Sequence, residues 1–156
     1  MRMFFLAMLG ALTVAAPLTA GSGKPEVVLQ VLVQDTELTD PTKVVRLQLE
    51  NPPEVVNFSR LPVVSQKYLW NVHAQPDGSV VVQFDSIGAD ALEVATRINM
   101  GKIMVVVFRA DGDEDGRVLL AAVIDSPLTG GRLRLHGLTA SDIKKIQSFI
   151  TRRRAT

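Results

Sequence analysis

Residues 79–108, SVVVQFDSIGADALEVATRINMGKIMVVVF, decide the fold, and residues 109–150 complete the pattern they begin. Val80, Val82 and Phe84 alternate with Val81 and Gln83, the period of a strand with one covered face. Ser86 is placed to cap a helix. Ile87, Ala91, Val94, Ala95 and Ile98 then recur at helical spacing and predict the buried stripe of that helix. Glu93 and Arg97 stand one turn apart outside the stripe, in the favourable order. Asn99 and Gly101 close the helix, with Gly101 the left-handed residue beyond its end. Residues 103–108 (IMVVVF) are apolar without alternation, as expected of a central strand covered on both faces.

Downstream, residues 111–116 (DGDEDG) form a polar loop, 117–124 a returning strand and 126–131 (SPLTGG) a second turn. In residues 132–136, Leu133 and Leu135 point inward and Arg132, Arg134 and His136 outward. The last helix carries the clearest local signal. Thr139 is the N-cap and Asp142 the acidic partner of a capping box, with Leu138 and Ile143 as the hydrophobic staple around them. Ile143, Ile146, Phe149 and Ile150 predict its buried stripe. Arg152, Arg153 and Arg154 suit the negative end of the helix dipole and read best as a solvated, fraying end.

Upstream, residues 25–33 (PEVVLQVLV) and 43–49 (KVVRLQL) read as strands, the second with Val45, Leu47 and Leu49 on one face. Asn51, Pro52 and Pro53 are expected to stop regular pairing. Residues 54–61 fit a short strand without requiring one. Ser65 is placed to cap a short turn through Lys67, Tyr68 and Leu69. Pro76-Asp77-Gly78 predicts the turn of a hairpin joining residues 71–75 to 80–84. Together the elements predict an α+β domain, a mainly antiparallel sheet with two helices packed on one face.

Residues 1–23 read as a secretory signal peptide: Arg2, then the apolar run 3–18 (MFFLAMLGALTVAAPL), then small residues from Thr19 to Gly23. The expectation is one domain over residues 24–156, exported to the periplasm or beyond, or tethered if the leader stays in place. The 156 residues suffice for one real core, and the formal net charge of +1 lacks the broad basic face that nucleic acid requires. With no cysteine, the chain has no disulfide, thiolate zinc site or lipidated cysteine.

No motif specifies catalysis. His73 and His136, the only histidines, belong to no ligand-spaced pattern, and no serine sits in a G-x-S-x-G elbow. Asp111, Asp113 and Asp115 match the opening of a calcium loop, D-x-D-x-D-G, where alternate carboxylates converge on a hard cation. The twelfth position of such a loop holds Ala122 instead of Glu, and strands replace its flanking helices. A solvated acidic turn and a weak calcium site therefore both stand as readings. Gly130-Gly131 precedes a strand and reads as a turn rather than a phosphate cradle. Trp70 and Tyr68 fit either an interface anchor or a cap on the core.

An ordered set of segments resembles a known family. VVVQF (80–84), SIGADALEVATRINMGK (86–102), IMVVVF (103–108), VLLAAVIDSPLTGGRLRLHG (118–137) and LTASDIKKI (138–146) follow one another as in the head of the first periplasmic domain of SecD. SecD is the accessory subunit of the bacterial Sec translocase. LPVVSQKYLWNVHAQPDGS (61–79) fits the family's lead-in, whereas residues 25–53 show no clear counterpart, and the acidic loop is longer here. The resemblance is strongest over 79–150. It implies contact with polypeptide or with an envelope protein complex, without a cofactor, and an exposed sheet edge would suit an extended peptide. SecD's transmembrane helices, on which its proton coupling depends, have no counterpart after residue 23. The expected protein is thus a free-standing exported relative of the head, with no enzymatic activity. The alternative is a structural or calcium-modulated envelope interaction domain unrelated to translocation.

Overall fold

The computed structural model describes residues 26–37, 40–50, 53–113 and 115–156. The expected leader at residues 1–23 lies outside the described residues. The elements follow as β1 (Val27–Val33), β2 (Val44–Glu50), β3 (Pro53–Ser59), β4 (Val64–Ser65), β5 (Leu69–Ala74), β6 (Val80–Phe84), α1 (Ser86–Ile98), β7 (Ile103–Ala110), β8 (Arg117–Val123), β9 (Arg132–Leu135) and α2 (Ala140–Ala155).

The fold is α+β and its pairing antiparallel, but the strands divide among three sheets rather than one. Their orders are β4-β1-β7-β8, β2-β3 and β5-β6-β9. The unbroken apolar run of β7 explains the layering. Met104, Val106, Phe108 and Ala110 join Val27, Leu29, Val31 and Val33 of β1 in a core that also holds residues of β5, β6, β9 and both helices. Val105 and Val107 point the other way, with Leu32 of β1, into a second core against Leu47, Leu49, Val56 and Phe58 of the β2-β3 hairpin. The four-stranded sheet is therefore the middle layer, covered on both faces, as the lack of alternation in residues 103–108 requires. Both helices lie on one side of it. Full burial of a Val or Leu side chain is worth about 1.5–3 kcal/mol, so a charge at any inner position of β7 has no tolerable face.

Two upstream expectations are corrected. Pro53 takes part in regular pairing instead of stopping it, and Asn51 and Pro52 lie outside the described residues. β2 and β3 pair from Val44↔Ser59 to Glu50↔Pro53, with Pro53 opening its strand, where a missing N–H costs least. The uncertain stretch after it is a full strand that buries Val56 and Phe58 and exposes Val55. Ser65 lies in β4 opposite Gln30 and makes no side-chain cap bond, although the short 3-10 turn Gln66–Tyr68 does follow it.

The Pro76-Asp77-Gly78 turn forms as its chemistry predicts. Gly78 has φ 80°, and the Asp77 carboxylate accepts from the backbone N–H of Ser79 at 3.0 Å and from its hydroxyl at 2.6 Å. At the other end of the chain, the Thr139–Asp142 capping box is complete in both directions. Asp142 is also buried against Arg117, whose guanidinium pairs with it and lies over the Phe108 ring at 5.3 Å. This ties the start of α2 to the start of β8. Burial pushes the Asp142 carboxyl up, but the hydrogen bonds from Thr139 and the charge of Arg117 outweigh it and hold the pKa below the usual carboxylate value.

Candidate binding surface

The surface is built on α1, whose start differs from expectation by one residue. Asp85, not Ser86, is the N-cap, and its carboxylate accepts from Gly88 N at 2.9 Å. A carboxylate there also complements the positive end of the helix dipole. Asn99 ends the helix, its amide donating to the Ala95 carbonyl at 2.9 Å, and Gly101 turns the chain at φ 82°.

The helix is rotated relative to the hydropathy of its sequence. The expected inward stripe of Ile87, Ala91, Val94, Ala95 and Ile98 does not face the core. Ile87, Val94 and Ile98 are 64%, 58% and 73% exposed, and Ala91 and Ala95 are only partly buried at its margin. The buried row is Gly88, Leu92 and Thr96. The cause is close approach. A Cβ placed on Gly88 would stand 2.7 Å from the Tyr68 Cβ and 2.9 Å from the Phe84 Cβ, so the first turn rests almost directly on β6 and the preceding 3-10 turn. On the flank, a Cβ on Gly131 would meet the Ala89 Cβ at 2.5 Å. Thr96 supplies the polar lock. Its hydroxyl donates to Leu92 O at 2.8 Å and accepts from Leu128 N at 2.9 Å, which holds the 126–131 loop against the helix. Gly88 and Thr96 thus face inward together with Leu92, while Ile87, Val94 and Ile98 face solvent.

The patch continues past the helix. Gly101 N donates to Ile124 O and Ile124 N to Lys102 O, at 2.8 and 2.9 Å, which joins the α1 exit to the end of β8. Met100 and Val123, both exposed, are carried to that end of the molecule. Exposed apolar side chains are ordinary when single; here Ile87, Val94 and Ile98 share one face of one helix and form an apolar row.

The C-terminal arginines form docked contacts, contrary to the expectation of a fraying end. Arg153 donates to Leu69 O at 2.6 Å and stands 3.9 Å from the Asp85 carboxylate, linking the end of α2 to the cap of α1. Arg154 donates to the Trp70 carbonyl and stacks on its ring at 3.9 Å, and Arg152 pairs with Glu26. Trp70 is therefore held flat under a guanidinium, with part of the ring still in solvent. Tyr68 packs against the core at Gly88.

The residues considered for chemistry stay apart. Asp111, Asp113 and Asp115 are exposed in the β7–β8 connection, and the Asp113 carboxylate accepts from Ala110 N at 3.0 Å, satisfying its own turn. Among the described residues, no three His, Cys, Asp or Glu side chains gather as a metal ion would need. His73 lies exposed on β5 and His136 just beyond β9. No helix among the described residues is long and apolar enough to cross a membrane.

Comparison with known proteins agrees with this architecture. The family model of the SecDF P1 head subdomain matches residues 30–148. The match includes residues 30–53, where the sequence alone showed no counterpart, and so places the β2-β3 hairpin region within the family's span. A solved structure of SecDF, described as a membrane component that enhances protein export, shares the fold with a TM-score of 0.54 at 22% identity. The alignment covers 82% of this chain and 63% of that one. The crystal structure of SecDF in its Super-membrane-facing form gives a TM-score of 0.54 at 21% identity, over 82% of this chain and 19% of that one. The chain spans less than two thirds of either. No curated protein matches it.

Proposed function

The chain belongs to the family of the SecDF P1 head subdomain, and from that premise we propose that it is an exported, non-enzymatic module that contacts unfolded polypeptide during protein translocation. The observation that carries the reading is the outward row of Ile87, Val94 and Ile98 on α1, continued by Met100 and Val123. A side-chain surface of this kind suits a client with no fixed sequence, because apolar contact is non-directional and scales with area. The link to export also rests on the SecDF relative, which the solved structure describes as enhancing protein export. Residues 1–23 act in this proposal as the leader that delivers a single domain, from residue 24 onward, to the periplasm or outside, and the partner is a polypeptide or an envelope protein complex.

The test is fluorescence anisotropy with a labelled unfolded secretory precursor, and with the same precursor folded as the control. The proposal expects binding at about micromolar Kd to the unfolded form, a range usual for small apolar contacts, and none to the folded one. Equal binding to both forms, or to neither, refutes polypeptide capture.

A further inference from the structure

We infer that the α1 face also closes on a second copy of this chain, in an antiparallel two-helix contact. The pattern of the exposed row is more specific than apolarity. The exposed Ile87, Val94 and Ile98, with the partly buried Ala91 between them, are spaced four, three and four, the alternation of core positions in a two-helix seam. Paired antiparallel about a two-fold axis, Ile87 meets Ile98 of the second copy, and Ala91 meets its Val94. Each inner layer then sets a small residue against a branched one. A parallel pair would instead set Ala91 against Ala91 and leave a central gap.

Charge selects the same arrangement. Asp90 and Arg97 lie on the solvent side of the seam and are both exposed. In the antiparallel pair, Asp90 of each copy stands beside Arg97 of the other, giving two symmetric opposite-charge contacts. Asp90 takes part in no ion pair among the described residues, and Arg97 reaches only Glu93 on its own helix. The other side of the seam carries Gly88 and Ala95, too small to obstruct the approach, and beyond them lies the body of the domain. An isologous contact of this type needs one self-complementary patch, which α1 provides. Four layers make a small interface, so the association is weak, with Kd on the order of 100 micromolar. It uses the surface proposed above for polypeptide but does not depend on that reading. Where both hold, unfolded chain and second copy compete.

Sedimentation velocity of the purified full chain over a broad concentration series tests the inference through charge exchange. Wild type is expected to form a concentration-dependent dimer. Arg97→Asp and Asp90→Arg, each placing like charges together twice, are expected to weaken it roughly tenfold. The double variant Asp90→Arg/Arg97→Asp restores opposite pairing and is expected to return within about threefold of wild type. Unchanged melting temperatures for these exposed substitutions show that the fold is intact. A wild type that stays monomeric throughout, or a double variant as weak as the single ones, overturns the inference. Precursor binding measured on the same samples is a separate readout, so loss of one does not conceal the other.

Discussion

The two helices of this protein obey opposite rules. In α2 the large apolar residues face in: Ile146 and Ile150 are buried, with Ile143 and Phe149 partly so. In α1 Ile87, Val94 and Ile98 face out, and Leu92 alone of its large apolar residues faces in, between Gly88 and Thr96. The amphipathic rule assumes that burial area sets the orientation of a helix. It holds for α2, whose position over β5 leaves room for isoleucine. At the first turn of α1, Gly88 stands too near Phe84 and Tyr68 for a side chain, and proximity decides there instead. An apolar stripe is thus a statement about affinity for some surface, and the fold determines whether that surface belongs to the same chain.

The sharpest contrast is in stability. Ile146→Ala is expected to cost about 2–5 kcal/mol, the range for emptying a closely packed site. Ile98→Ala, the same substitution on the other helix, is expected to stay within about 0.5 kcal/mol of wild type. Urea unfolding measures both, and equal losses would erase the distinction. Next in size is Gly88→Ala. In an exposed helix interior this change stabilises by about 1 kcal/mol. Here the new Cβ would meet the Tyr68 and Phe84 Cβ atoms at 2.7 and 2.9 Å, and a loss of about 1–3 kcal/mol is expected from overpacking. A stabilised Gly88→Ala protein would show that α1 does not rest on β6.

A smaller effect separates the helix starts. Asp142 has its pKa lowered in the folded protein, so the folded state binds its proton less readily than the unfolded chain. Its contribution to stability is complete above the unfolded value near pH 4 and is lost as pH falls through the lower folded value. Asp142→Asn should therefore flatten the fall in urea midpoint below about pH 4. Asp85→Asn at the α1 cap is expected to leave the stability measured by urea unfolding at neutral pH within about 0.5 kcal/mol of wild type, since Asn caps a helix about as well as Asp. An unchanged acid limb in Asp142→Asn would remove the lowered pKa of the Asp142 carboxyl, held down by Thr139 and Arg117, from the account.

Much of this fold was legible where a signal is local. The Thr139–Asp142 box, the Asp77 turn and the two-faced β7 need only a few adjacent residues to be read. The D-x-D-x-D-G match was local as well, and the structure leaves its carboxylates exposed without a gathered set among the described residues. What escaped depends on distant neighbours. The rotation of α1 is set by Tyr68 and Phe84, the arginine clamp by contacts 84 residues apart at Leu69 and Trp70, and the partition into three sheets by which strands β7 draws to each face. Asp85 was legible in principle, since Asp and Ser cap about equally well; the geometry of Gly88 chose between them. The exposed row itself was visible as a stripe, and only its direction was missing.

The direction of α1 is the central claim, and the absence of cysteine from the chain makes it directly measurable. Val94→Cys and Leu92→Cys, two residues apart on the helix, would be labelled separately with a thiol reagent under native conditions. The account predicts that Cys at position 94 reacts at about the rate of a free thiol, while Cys at position 92 is protected until the protein unfolds. Protection at 94 with rapid labelling at 92 would contradict it and return the apolar stripe to the core.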